Sequence, residues 1–173
     1  MRNVRGYTLV EMVLAILVVG FMAGIAVPKV TAAMQNFRLN AAAGKMLSDI
    51  RYARELALSR HGTYGIEVDT VNNLYKIFSL SGEVKTVIND PHNQKSMIIN
   101  FSTSSEYQGV TLGTVNLCQN GGCPVTDLRF NSFGAPSDSN GTAMASSATI
   151  PLSAGGVTKT VTIYQATAFS EAV

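Results

Sequence analysis

The run from Tyr7 to Val27, YTLVEMVLAILVVGFMAGIAV, constrains this chain more than any other stretch, because it carries a single charge, Glu11. At about 1.5 Å of rise per residue, a helix of that length is roughly 30 Å long, the thickness of a bilayer core. Arg2 and Arg5 precede the run and no acid does. The positive-inside rule then keeps the N-terminus in the cytoplasm and sends the remainder out. A secretory signal peptide would share the basic start, and Thr31-Ala32-Ala33 offers small residues for a late cut. Against that, the apolar core is too long, includes Glu11 and continues unbroken into an amphipathic pattern.

Glu11 is the anomaly. An acid inside a membrane span costs roughly 2 to 4 kcal/mol on insertion scales. One reading places it near the helix end, where it reaches the headgroups. The other has it wait for a cation on another chain. Such a cation exists only if the chain is cut after Gly6. Tyr7 would then be a new amino terminus one helical turn ahead of the acid. The amine of one copy could meet the carboxylate of the next; paired in low dielectric the charges attract strongly, and apart each costs desolvation.

Arg5-Gly6 followed by Tyr7-Thr8-Leu9-Val10-Glu11 resembles the class III signal of type IV prepilins and type II secretion pseudopilins. That signal is a glycine before the cut, an aromatic after it, a T-L-x-E run and an apolar helix. The resemblance implies that a membrane-embedded prepilin peptidase cuts after Gly6 and methylates the amine of Tyr7. It implies that Glu11 docks against the N-terminus of a neighbouring pilin or pseudopilin subunit in a helical filament. An assembly ATPase and a platform protein are implied by the resemblance alone. Tyr7 stands where the family more often has Phe. The expected location is a single pass of the bacterial inner membrane with a periplasmic head, and then the filament.

Gly20 and Gly24 are four apart, the spacing at which helices can approach closely. Pro28 removes a backbone hydrogen bond and clashes with the preceding turn, so a kink is expected there. By the resemblance, the segment from Gly20 to Pro28 can lose helicity in the filament. A plain bend at the membrane edge fits the same residues.

A length of 173 residues suits one membrane helix and one domain. The expected division is a leader over 1–6, an assembly helix over 7–28, an amphipathic helix over 29–62 and a β head over 63–173. Ala43, Leu47, Ile50, Ala53 and Ala57 form one helical face, and Gly62 suits the left-handed position after the last turn. His61 reads as a helix-end cation rather than a ligand. From Thr63 the period changes to that of strands. Thr63 to Val68, Leu74 to Leu80, Glu83 to Ile88, Met97 to Phe101, Val110 to Leu117, Asp127 to Phe130, Ala148 to Leu152 and Val157 to Tyr164 are the candidates. Residues 131–142 read as a loop, and Pro151 is expected at an edge or a strand end. The fold class is α+β, a long N-terminal helix packed on an antiparallel sheet. Two stretches, Leu56-Ala57-Leu58-Ser59-Arg60 and Phe130-Asn131-Ser132-Phe133-Gly134, resemble the GspH/FimT-type minor pilins and pseudopilins, which implies a two-sheet head.

Cys118 and Cys123 bracket a short glycine-containing loop. Outside the cytoplasm disulfides persist, so the pair reads as a disulfide. A metal pair would need further ligands, and none lies nearby in sequence. His61 and His92 share no metal or catalytic motif, and no nucleophile elbow or phosphate loop is present. The expectation is no enzyme, no metal and no cofactor. Of the 13 basic residues, Arg2 and Arg5 lie in the leader, which leaves 11 against 11 acids. From Thr63 on, Lys76, Lys85, Lys95, Arg129 and Lys159 face eight acids. Counterion release needs clustered cations, and the sequence shows no cluster. The alternative, a FimT-like DNA-uptake receptor of a competence pilus, therefore has no support from charge.

Overall fold

The computed structural model describes residues 6–91, 93–117, 126–138, 141, 143–144, 146–165 and 170–173. The chain divides into two compact units, Met1–Met34 and Gln35–Val173. Helix α1, Leu9–Arg60, supplies the first unit and opens the second. Its helical backbone continues through Gly20 and Pro28.

Within the second unit α1 buries one face. Leu39, Ala42, Ala43, Met46, Ile50, Ala53 and Ala57 are each at most 1% exposed. They recur at intervals of three and four residues, which at 3.6 residues per turn is a single stripe. Leu47, expected on that stripe, lies at its margin and packs partly buried against it. Four alanines on the stripe, Ala42, Ala43, Ala53 and Ala57, keep it low, so strands can approach closely. The helix ends in a Schellman turn: the Gly62 N–H donates to the Ala57 carbonyl at 3.3 Å. The left-handed residue is His61, at φ 50°, and not Gly62 as the sequence suggests. Gly62 is small for a different reason, since a Cβ there would lie 3.3 Å from Tyr64 Cε2.

The strands form two antiparallel sheets. In the first, β1 (Thr63–Asp69) sits between β2 (Leu74–Ser81) and β6 (Asp127–Phe130). β3 (Val84–Val87) and β4 (Ile98–Asn100) both pair with β2, and β7 (Pro136–Ser137) pairs with β6. In the second, β8 (Ala148–Ala154) lies between β5 (Thr111–Leu112) and β9 (Val157–Ile163), and β10 (Ser170–Ala172) pairs with β9. One hydrophobic cluster joins the buried stripe of α1 to both sheets, through Ile66, Tyr75, Ile77, Leu128, Ile150 and Val161 among others. Strict alternation along β8, where Ala148, Ile150, Leu152 and Ala154 are buried, is the pattern of a sheet with one covered face.

Three expectations are corrected. Residues 131–142 are not wholly loop, because β7 returns to pair Phe130 with Pro136. The sheet does not finish at Tyr164, because β10 adds an edge, and the Thr160 N–H donates to the Val173 carbonyl at 2.8 Å. Pro151 is not terminal but central in β8. It is tolerated because the β5 side of β8 breaks there: β5 pairs regularly only at Thr111 and Leu112, and pairing resumes at Asn116 with Thr149. In between, the Pro151 carbonyl accepts the Gly113 N–H at 2.8 Å. A bulge of this kind removes the demand for the N–H that proline lacks.

Gly65 holds the first sheet together from its other face. Phe78, paired with Gly65 across β1 and β2, is fully buried yet stands apart from the main core. A Cβ on Gly65 would overlap the Leu128 carbonyl oxygen and lie 2.8 Å from Phe78 Cζ. The ring thus occupies the space that a side chain would take. Gly65→Ala is predicted to cost about 2 to 3 kcal/mol through overpacking, read as a lowered denaturation midpoint of the full chain in detergent; an unchanged midpoint would contradict this packing.

Candidate assembly site

The N-terminal segment brings the expected processing residues onto one short stretch. Gly6, Tyr7 and Thr8 are non-helical, and the helix opens at Leu9. The Thr8 carbonyl accepts the Met12 N–H at 3.2 Å, and Thr8 Oγ1 accepts the Glu11 N–H at 3.3 Å. The Gly6–Tyr7 peptide therefore lies just outside the helix, and Glu11 lies in its first turn. A negative charge there is favoured by the helix dipole. Tyr7 is 78% exposed.

From Met12 to Val27 the helix carries no charged side chain. An 18-residue window of α1 has a mean hydropathy of 2.5, and none of it is buried among the described residues. By length and composition this helix can cross a membrane. Gly20 and Gly24 have open space where a Cβ would stand, so close approach of another helix is sterically available at both.

The two stretches that resemble the GspH/FimT-type subunits meet in space. Gly134, at φ 71°, presses on Leu58, whose Cγ would lie 3.0 Å from a Cβ at that position. Arg54 Nε donates to the Gly134 carbonyl at 3.2 Å. Asn131 shapes the turn by accepting the N–H groups of Phe133 and Ala135 on its Oδ1, each at 3.0 Å. Phe130 is buried in the core, while Phe133 points outward. The motif is thus a clamp that fastens the β6–β7 turn to the last turns of α1.

Three of the five cations from Thr63 onward, Lys76, Lys85 and Arg129, gather on the outer face of the first sheet. This corrects the expectation that they are scattered. They are interleaved with Glu67 and Asp127. Glu67 meets Lys76 and Lys85, each at 3.2 Å, and Asp127 meets Lys85 at 3.1 Å and Arg129 at 2.9 Å. Lys85 Nζ also lies 5.0 Å from the centroid of the Phe78 ring. Cations committed in this way release few counterions to a polyanion. Among the described residues no group of three metal-ligating side chains occurs. His61 is exposed at the helix end. Cys118, Cys123 and His92 lie outside the described residues.

Sequence reasoning missed two polar features. Thr8 is signalled by T-x-x-E, the spacing of a capping box. Asp49 carries no such signal, because its i,i+4 relation to Lys45 reads as a surface pair. It is buried, with Lys45 Nζ on Oδ1 and the Tyr75 hydroxyl donating to Oδ2 at 2.8 Å. Burial, then the Asp49 charge, pushes the Tyr75 hydroxyl well above its usual pKa. Burial, then Glu106, pushes Tyr107 up to about 12.

Residues 1–27 match the family model described as the prokaryotic N-terminal methylation motif. No curated protein matches the chain in sequence. Two structures of the minor pseudopilin EpsH from the type II secretion system of Vibrio cholerae are similar in fold. Their TM-scores are 0.56 and 0.55 at 13% and 14% identity, over 79% of this chain and 93% and 96% of theirs. The type IV minor pilin FimU of Pseudomonas aeruginosa gives a TM-score of 0.49 at 17% identity, over 77% of this chain and 86% of that one. The class is therefore pilin-like: a long N-terminal helix packed on an antiparallel β head. This chain carries the N-terminal methylation motif on a head with the fold of a minor pseudopilin.

Tyr75→Phe is predicted to cost about 1 to 3 kcal/mol, because Asp49 stays buried with one donor fewer. The raised hydroxyls of Tyr75 and Tyr107 stabilise the fold fully below their unfolded value of 10.0, and that contribution fades as pH rises toward about 12. Denaturation of the full chain at stepped alkaline pH checks both, and a midpoint flat across that window would contradict the second.

Proposed function

We propose that this chain is a structural subunit, a minor pilin or pseudopilin, of a type IV pilus-like or type II secretion filament, and not an enzyme. The observation that carries this reading is the conjunction of a methylation motif on residues 1–27 with a minor-pseudopilin fold. The chain inserts in the inner membrane with its leader inside and its head in the periplasm. A prepilin peptidase cuts after Gly6 and methylates Tyr7. Glu11 then pairs with the amine of a neighbouring subunit, and the side chains of residues 9–27 exchange lipid for one another. An assembly ATPase and a platform protein drive the transfer. The segment from Gly20 to Pro28, helical in the lone chain, is the part that extends in the fibre. Cys118 and Cys123 form a disulfide.

The mass of the mature N-terminus tests the processing step: it is expected to begin at methylated Tyr7, and material beginning at Met1 or well downstream overturns the reading. Glu11→Ala is expected to be cut normally yet to enter filaments at least ten-fold less, since about 1.4 kcal/mol already corresponds to a factor of ten. Normal incorporation of that variant in sheared-filament fractions would sink the pairing mechanism while leaving the processing step intact.

A further inference from the structure

We propose that Thr8 is a positioning residue for assembly: as the N-cap of α1 it fixes the first helical residue at Leu9 and so sets the offset between the Tyr7 amine and the Glu11 carboxylate. The inference rests on the cut after Gly6 argued above. Two bonds define the cap. The Thr8 carbonyl accepts the first intrahelical N–H, from Met12, while its own backbone is non-helical. Its hydroxyl accepts the N–H of Glu11, a donor at the third helical position that has no intrahelical acceptor.

The location gives this cap its consequence. After the cut, Thr8 is the second residue of the chain, and Tyr7 alone precedes it. If the helix began one residue earlier, the Tyr7 amine would swing by about 100° relative to Glu11 and shift by about 1.5 Å along the axis. A helical fibre repeats one contact between every pair of neighbours, so each subunit must present amine and acid at the same offset. Water corrects a poor cap at a protein surface by hydrating the orphan N–H groups. In lipid or among packed apolar helices it cannot, and an unsatisfied N–H costs several times more. Thr8 also spends its hydroxyl on the Glu11 N–H and not on the Glu11 carboxylate, which leaves the acid to a partner from another chain.

The test compares the full chain with Thr8→Ser, which keeps the hydroxyl, and Thr8→Val, which keeps the shape and loses it. Hydrogen exchange in detergent micelles is expected to be about five-fold faster at the Glu11 amide of Thr8→Val and unchanged in Thr8→Ser. Scored on the cut fraction, incorporation into filaments is expected to fall several-fold for Thr8→Val and to stay normal for Thr8→Ser. Equal exchange in all three proteins overturns the cap. Faster exchange with full incorporation of Thr8→Val overturns its role in assembly, and so does a Thr8→Ser defect as large as that of Thr8→Val. A wild-type chain that is not cut after Gly6 overturns the filament reading and the role in assembly, while the exchange measurement, made on the uncut chain, still decides the cap.

Discussion

Residues 9–27 present an apolar surface that nothing else among the described residues covers, and the behaviour of the rest of the molecule depends on what does cover it. Leu9, Leu14, Ile16, Phe21 and Ile25 are each more than half exposed. Burying one such side chain gains about 1.5 to 3 kcal/mol, so the segment cannot rest in water. Lipid satisfies it, and so do other helices of the same kind. Between those two environments the hydrophobic effect scarcely chooses, because a lipid tail is as apolar as leucine. Direction must come from a polar term. Glu11 is the one charge in the segment, and under the proposed function an ammonium on a neighbour would remove the cost that lipid imposes on it.

The same helix solves the opposite problem further along. From Leu39 to Ala57 its apolar positions contract to one stripe, which both sheets cover. On that side of the helix a charge is tolerated only with partners at hand, as Asp49 has in Lys45 and Tyr75. Small residues do comparable work in the sheets. Gly65 admits Phe78, Gly113 lies under the Pro151 ring, and Gly134 admits Leu58. Each lies where two elements approach too closely for a side chain, so they act as contacts rather than as flexible joints.

The helix and its buried face were legible from periodicity, because a stripe on a long helix repeats many times. The central strands were legible in part for the same reason: β8 alternates over all seven of its residues, and Tyr64, Ile66 and Val68 are buried in alternation along β1. β7 and β10 were not, since two or three residues hold no period and their pairing is decided by what lies beside them. Pro151 misled because its rule concerns an N–H that the neighbouring strand requires, and a bulge cancels the requirement. Gly62 misled in the same fashion: His61 took the left-handed position, and the glycine was needed for the Tyr64 ring. In the processing segment, spacing carried the information. The methylation-motif match over residues 1–27 was foreshadowed by Gly6, Tyr7 and Glu11, because that pattern is a matter of sequence separation along one helical turn. Thr8 belonged to the same pattern and was overlooked because its capping role needs no partner outside that turn.

The two units also differ in how their polar groups are completed. On the outer face of the first sheet, five charged side chains satisfy one another, and Lys85 alone serves Glu67, Asp127 and the Phe78 ring. A face closed in this way has little charge left to steer a partner from a distance. At the N-terminus the balance is reversed. Thr8 completes the backbone of the first turn, and among the described residues no cation lies within ion-pair distance of the Glu11 carboxylate. A group in that position gains from association only when the incoming molecule brings both a positive charge and an apolar surface, and under the proposed function a cut and inserted copy of the same kind of chain would bring both.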